Sequence, residues 1–256
     1  MNLDILDNAH NILSKYNCDV KILNISSKNI NTTALDLNKY TELQELNCKD
    51  NFIKSIINIP NTLKLLTCSN NKINNLDIIK LLSHNDIYGL YSNLQILHCD
   101  LNQITSLDNL PSCIKKLFCQ NNQISSLDNL PSSLTTLHCY DNNITNLENL
   151  PSSLEILYCG INYLKNLDNL PSSLKVLNCV DNKISSLDNL PMSLQRLCCY
   201  DNQITSLDNL PPSLKTLYCG RDVVINKLDN LSSDLKIINK KLDKYLPDLK
   251  IINFLN

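Results

Sequence analysis

Cysteine is the residue type of this chain best able to do chemistry, and the sequence holds twelve of them. A thiolate can ligate zinc, attack an electrophile or close a disulfide. Nine of the twelve, Cys48, Cys68, Cys99, Cys119, Cys139, Cys159, Cys179, Cys199 and Cys219, fall on one column with steps of 20 residues and a single step of 31. Zinc clips need a Cys-x-x-Cys pair that closes around the ion, and a single column offers none. Neighbours in such a column carry parallel Cβ vectors, which is poor disulfide geometry. The column cysteines are therefore predicted to be reduced, buried packing residues, and Cys198, in the outward place beside Cys199, is predicted to differ. His98 and His138 stand two repeats apart, roughly 10 Å at strand spacing, too far to share one metal ion. A row of carboxylates, Asp108, Asp128, Glu148, Asp168, Asp188 and Asp208, could attract calcium. It lacks the glycine-rich nonapeptide of calcium-binding solenoids, so solvated turn residues are the expected reading. No glycine-rich phosphate loop, His-Glu-x-x-His or Gly-x-Ser-x-Gly occurs. The chain is predicted to be no enzyme, with no metal and no cofactor.

The elements that place these residues are written into the repeat itself. Its fixed positions are L-D-N-L-P-x-S-L-x-x-L-x-C-x-x-N-x-I-x-x, copied almost without change between Leu107 and Cys219. Leu-x-Cys alternates in, out, in, which is the period of a strand, and strands from successive copies should stack in parallel about 4.8 Å apart. No unit can cover its own apolar face, so each is stabilised only by its neighbours. Asn51, Asn71, Asn102, Asn122, Asn142, Asn162, Asn182 and Asn202 recur at the turn leaving the strand, where an amide can pair with backbone groups that no sheet satisfies. They are predicted to form a structural ladder. Pro111, Pro131, Pro151, Pro171, Pro191 and Pro211 favour an extended return path over a helix.

Residues 1–19 depart from the repeat, and Ile5, Ala9, Ile12, Leu13 and Tyr16 trace a helical stripe. A helical cap over the end of a solenoid is predicted there, with the repeat array running over 20–256 as about 10 to 12 coils. An insertion is predicted at about 77–92, on the outer side. From about residue 223 the copies degenerate into a C-terminal cap. There Leu235 and Ile238 read either as one more coil, with Lys240 in the cysteine place after a slip of one residue, or as a helix stopped by Pro247.

The leucine, cysteine, asparagine and isoleucine positions together resemble the leucine-rich repeat, and the Leu-Pro-x-x-Leu segment is similar to that of bacterial effectors with twenty-residue repeats. Leu-Pro-x-Ser-Leu-x-x-Leu also resembles the FNIP repeats of slime moulds and of large DNA viruses infecting amoebae, although the Phe-Asn pair is missing. The resemblance implies a horseshoe solenoid with a long parallel β-sheet on its concave face and a mostly extended, irregular convex side. It also implies a protein partner bound on that sheet. Some relatives carry a ubiquitin-ligase domain after the repeats or an F-box before them, and neither is recognised here.

A formal net charge of −2 gives no global basic field, so nucleic acid is not an expected partner. No apolar run reaches the length of a membrane span and no signal peptide is recognised, which predicts a soluble, monomeric protein of the cytoplasm, the chain's own or a host's. The outward places on the strands carry large flat side chains of the kind that anchor interfaces. The candidate partner-binding residues are His98, Phe118, His138, Tyr140, Tyr158, Cys198, Tyr200 and Tyr218, with Lys116 and Arg196 beside them. Cations (Lys64, Lys115, Lys116, Lys175, Arg196, Lys215) precede the strands and acids (Asp50, Asp100, Asp141, Asp181, Asp201) follow them, so the two edges of the face should differ in sign. Against selection for binding stands duplication: residues 118–159 and 178–219 match at an offset of sixty, which would copy tyrosines without a partner. The reading is a non-catalytic protein-binding module. The alternatives are a structural or scaffold component, such as a virion protein, and an adaptor in a ubiquitin-ligase pathway.

Overall fold

The computed structural model describes residues 7–76, 93–207, 209–220 and 235–239. The predicted insertion at 77–92, Asp208 and most of the predicted C-terminal cap lie outside the described residues. Leu-x-Cys segments form short strands at Ile22–Asn24, Glu45–Asn47, Leu65–Thr67, Ile96–His98, Lys116–Phe118 and Thr136–His138. The series continues through Ile156–Tyr158, Val176–Asn178, Arg196–Cys198, Thr216–Cys219 and Lys236–Asn239. They make an 11-stranded sheet whose order in space is the order in sequence. All its pairings are parallel, and leucine sits on leucine from Leu117 through Leu137, Leu157, Leu177 and Leu197 to Leu217. The core is a continuous stripe, in which the inward leucines and cysteines and the isoleucine (leucine at 164) two residues after each ladder asparagine are buried. This is a leucine-rich-repeat solenoid with almost no helix among the described residues.

A helix, Ala9–Leu13, covers the N-terminal end, with Ala9 and Leu13 buried and Ile12 and Tyr16 packed on the core. Its last carbonyls find partners just beyond its end, where the amides of Ser14, Lys15 and Tyr16 donate to the carbonyls of His10, Ile12 and Leu13. The Tyr40 hydroxyl and the Lys39 ammonium both donate to the Leu13 carbonyl, at 2.9 and 2.8 Å. At the other end Lys236–Asn239 is a strand, with Ile237 opposite Leu217. The spacing of 20 is thus kept, since 237 − 217 = 20, and Ile237 holds the leucine place. The pattern read from Leu235 and Ile238 set the register one residue late, because adjacent isoleucines at 237 and 238 leave apolarity unable to choose between them.

Each coil must turn twice through left-handed backbone, and the chain has only three glycines to do it with. Asparagine and aspartate tolerate this conformation best after glycine. One turn uses Asn109, Asn129, Asn149, Asn169 and Asn189, at φ from 61° to 65°. The other, just before the ladder asparagine, uses Asp50, Asn70, Asn121, Asp141, Asp181 and Asp201. Asparagine richness is thereby a requirement of the coil. Leu101 and Ile161, with φ of 54° and 52°, are the exceptions in that second column. A side chain of this kind costs roughly 1–2 kcal/mol in such a conformation.

Gly160 has a different reason. A Cβ there would stand 2.9 Å from the Val180 carbonyl oxygen of the next coil. Gly160→Ala is expected to destabilise the fold by about 1–3 kcal/mol, because backbone must move to admit the methyl group. A lowered urea midpoint with an unchanged slope checks this.

Candidate functional site

The concave face rests on polar ladders that fix its geometry. The Asn142 amide donates to the carbonyls of Cys119, Cys139 and Tyr140, at 3.1, 3.1 and 3.2 Å. Its oxygen accepts from the Ile124 amide at 2.9 Å. Two of these four partners belong to the preceding coil, so the side chain sews one coil to the next. Asn71, Asn102, Asn122, Asn162, Asn182 and Asn202 repeat the donor pattern. Asn51 reaches back into the first, degenerate coil, where its oxygen accepts from the amides of Lys28 and Ile30.

A second ladder, which the sequence reading did not assign, uses the serine of Leu-Pro-x-Ser-Leu. The Ser133 hydroxyl lies 2.6 Å from the Ser112 carbonyl and 2.7 Å from that of Ile114. Ser153, Ser173, Ser193 and Ser213 make equivalent contacts, and Cys113 takes the serine place with its thiol 3.2 Å from the Leu94 carbonyl. A small hydroxyl at one place in nearly every copy was the available signal.

The column cysteines are buried free thiols, while Cys198 is half-buried and Cys18 exposed. Burial pushes Cys48 and Cys159 up to about 12, raises Cys68, Cys99, Cys119, Cys139, Cys179 and Cys199 well above the ordinary range, and raises Cys219. A group held as a thiol at neutral pH is neither a nucleophile nor a metal ligand. Among the described residues no group of three or more histidine, cysteine or acidic side chains converges as a metal site would require. Three of the convex carboxylates are clearly engaged within the protein. Asp108 accepts from the Ser106 hydroxyl and the Asn129 amide, Asp128 from Ser126 and Asn149, and Asp188 from Ser186 and Asn209. Those hydrogen bonds hold all three below the usual carboxylate range.

On the sheet itself, His98, Phe118, His138 and Tyr158 form a run of ring contacts. Centroids are 4.2 Å apart between His98 and Phe118, 4.7 Å on to His138 and 4.3 Å on to Tyr158. The expectation that these side chains stand exposed fails in the middle of the run, where His138 is 9% and Tyr158 4% exposed. Strand spacing is the cause: flat side chains on adjacent strands lie one ring thickness apart and cover one another, which an outward place in a single strand does not reveal. His98, Phe118, Tyr140, Tyr200, Tyr218 and Cys198 are half-buried, and Lys116 and Arg196 are exposed. Burial, and secondarily the charge of His98, lowers His138 to about 4, and its Nε2 is buried with no hydrogen-bond partner. His98 is also lowered, by burial partly offset by Asp100.

Two further features complete the face. The residue before each inward leucine also faces outward, which brings half-buried Leu65, Ile96, Ile156 and Val176 into the strip; continuing the strand alternation one residue back would have found them. The sorted charges also change meaning. Asp50, Asp141, Asp181 and Asp201 occupy a left-handed position that favours aspartate on conformational grounds, whereas Asp100 lies one residue earlier in its coil and accepts from the Ser69 hydroxyl at 2.6 Å. On the opposite edge Lys175 pairs with Glu155 at 3.0 Å.

No family model matches the chain, and no curated protein sequence matches it. Among solved structures it is similar to the functional domain of InlJ from Listeria monocytogenes, which includes a cysteine ladder, at 29% identity and a TM-score of 0.67, over 88% of this chain and 50% of that one. It is similar to YopM from Yersinia enterocolitica at 29% identity and a TM-score of 0.59, over 78% of this chain and 46% of that one. The Leptospira interrogans leucine-rich-repeat protein LIC12759, at 22% identity and a TM-score of 0.61, shares the fold over 84% of this chain and 59% of that one. The chain spans about half the length of the first two. Among the described residues no helix is long and apolar enough to cross a membrane.

Proposed function

We propose that the chain is a non-catalytic module that binds a protein partner on its concave sheet. The observation that carries this reading is the surface composition of a rigid face: half-buried Phe118, Tyr140, Ile156, Tyr200 and Tyr218 lie beside exposed Lys116 and Arg196. Aromatic and apolar anchors rimmed by charge are what protein interfaces use. In this reading His138 and Tyr158 are the rigid backing and not the anchors. Ring faces in the run from His98 to Tyr158 are already taken by neighbouring side chains, which leaves little for a nucleobase to stack on and favours a protein. None of the twelve cysteines is in a disulfide, which suits a reducing compartment, so the partner is sought in the cytoplasm, the chain's own or a host's.

Affinity capture of the chain with quantitative mass spectrometry tests the reading. One stoichiometric protein is expected, and Tyr140→Ala combined with Tyr200→Ala should weaken its capture at least roughly tenfold. Lys116→Glu with Arg196→Glu should chiefly slow association. Unchanged affinity in both double variants, with circular dichroism like that of the parent, removes the concave face as the site.

A further inference from the structure

Two coils depart from the others at exposed positions where departure is costly. The residue before each ladder asparagine has positive φ, and it is Asp or Asn in most coils but Leu101 and Ile161 in two. These two gain nothing by burial: Leu101 is 50% and Ile161 46% exposed. A β-branched side chain is especially ill suited to left-handed backbone. Two residues on, Tyr163 is 49% exposed where neighbouring coils have Gln103, Gln123, Asn143, Lys183 and Gln203; Phe52 holds the same place in an earlier coil, 40% exposed, and each ring has the lysine ammonium of the next coil, Lys183 or Lys72, 5.2 Å from its centre. The lysine of the next coil accounts for Tyr163, but neither conformational preference nor burial accounts for Leu101 and Ile161. Strain of this kind clusters at ligand clamps and other functional sites.

The surroundings specify that contact. Along this rim, where strands leave for the convex side, the column reads Leu101, Asn121, Asp141, Ile161, Asp181, Asp201. Backbone hydrogen bonds keep it in step, with the amides of Asp141, Ile161 and Asp181 donating to the carbonyls of Gly160, Val180 and Tyr200. Leu101 and Ile161 are three strand steps apart, about 14 Å. Carboxylates stand one step to either side of Ile161.

We propose that this rim, distinct from the concave face, binds an extended basic segment of a partner protein. An extended chain rises about 3.3 Å per residue and presents alternate residues to one side. The segment therefore carries apolar residues four apart, on Leu101 and Ile161. Lysine or arginine two residues after each of them faces Asp141 and Asp181. Tyr163 adds contact area beside Ile161. Fluorescence polarisation of the full chain with fluorescein-labelled Leu-Ser-Arg-Ser-Leu-Ser-Arg amide tests this at low salt. Saturable binding is expected, with at least roughly tenfold loss when glutamate replaces both arginines or when Asp141→Asn is combined with Asp181→Asn. Ile161→Asn is expected to lose binding to the same extent while raising the melting temperature by about 2–4 °C, since asparagine relieves the strain. That rise shows the variant folded. Lys116→Glu should leave this binding unchanged even if it disrupts capture on the concave face. No saturable binding up to millimolar peptide, equal binding of the glutamate peptide, or loss through Lys116→Glu and not through Ile161→Asn would each overturn the proposal.

Discussion

Asn142→Ala should lower stability by about 1–3 kcal/mol, because it leaves the buried Ile124 amide without its acceptor and removes a donor from three carbonyls at once. Those carbonyls, of Cys119, Cys139 and Tyr140, keep a second donor in the Asn122 and Asn162 side chains and the Asn121 amide. Lys115→Ala, which removes an exposed side chain from the neighbouring coil, should stay within about 0.5 kcal/mol of the parent. Asp141 would be a poor control, since it holds φ at 54° and accepts from the Asn121 amide at 2.6 Å. Urea denaturation followed by circular dichroism measures both variants. Stability here is a sum over coils and their interfaces, so loss of a central stitch should also broaden the transition as the two halves lose their coupling. Equal midpoints for the two variants would refute a ladder of this strength.

Acid should unfold the protein through the centre of its sheet. His138 titrates near pH 4 in the fold, against 6.5 for an unburied imidazole. Between those values the unfolded chain binds the extra proton and the folded one does not, so stability is full above about pH 6.5 and falls as pH drops towards 4. The loss from this group is on the order of 3 kcal/mol, and His98, shifted in the same direction, adds to it. The convex carboxylates Asp108, Asp128 and Asp188 act only at lower pH, because their own shifts run below 3.8. His138→Phe keeps a ring between Phe118 and Tyr158 and removes both the titration and the unpartnered Nε2. Its stability should be higher at pH 7 and nearly flat from pH 6.5 to 4.5 apart from the His98 contribution. A parent protein equally stable at pH 7 and pH 4.5 would contradict the assignment.

The sheet was legible because its determinants are local and repeated. Leu137 and Cys139 with their counterparts twenty residues on define which face is inward, and parallel register follows once the period is counted. Exposure on the other face was not legible, because it depends on what stands one strand away: Tyr158 is hidden by its neighbours and not by anything within Ile156–Tyr158 itself. The acids also misled. Asp181 and Asp201 read as a charged edge, but their place is first a conformational one, and only backbone dihedrals separate the two roles. At the C-terminus adjacent Ile237 and Ile238 made apolarity ambiguous, and pairing with Leu217 was needed to choose.

The asparagine stitch points one way along the chain. Asn162 saturates Cys139 in the coil before it, as Asn182 does Cys159. During synthesis each coil consequently waits for its successor, while the helix Ala9–Leu13 covers the first coil from the other side. At about 5–20 residues per second a new coil emerges from the ribosome every one to four seconds, ample time for local docking. The molecule is thus suited to grow as a crystal grows from a seed, with a single unsaturated coil at its advancing front and little apolar surface open to stray partners at any moment.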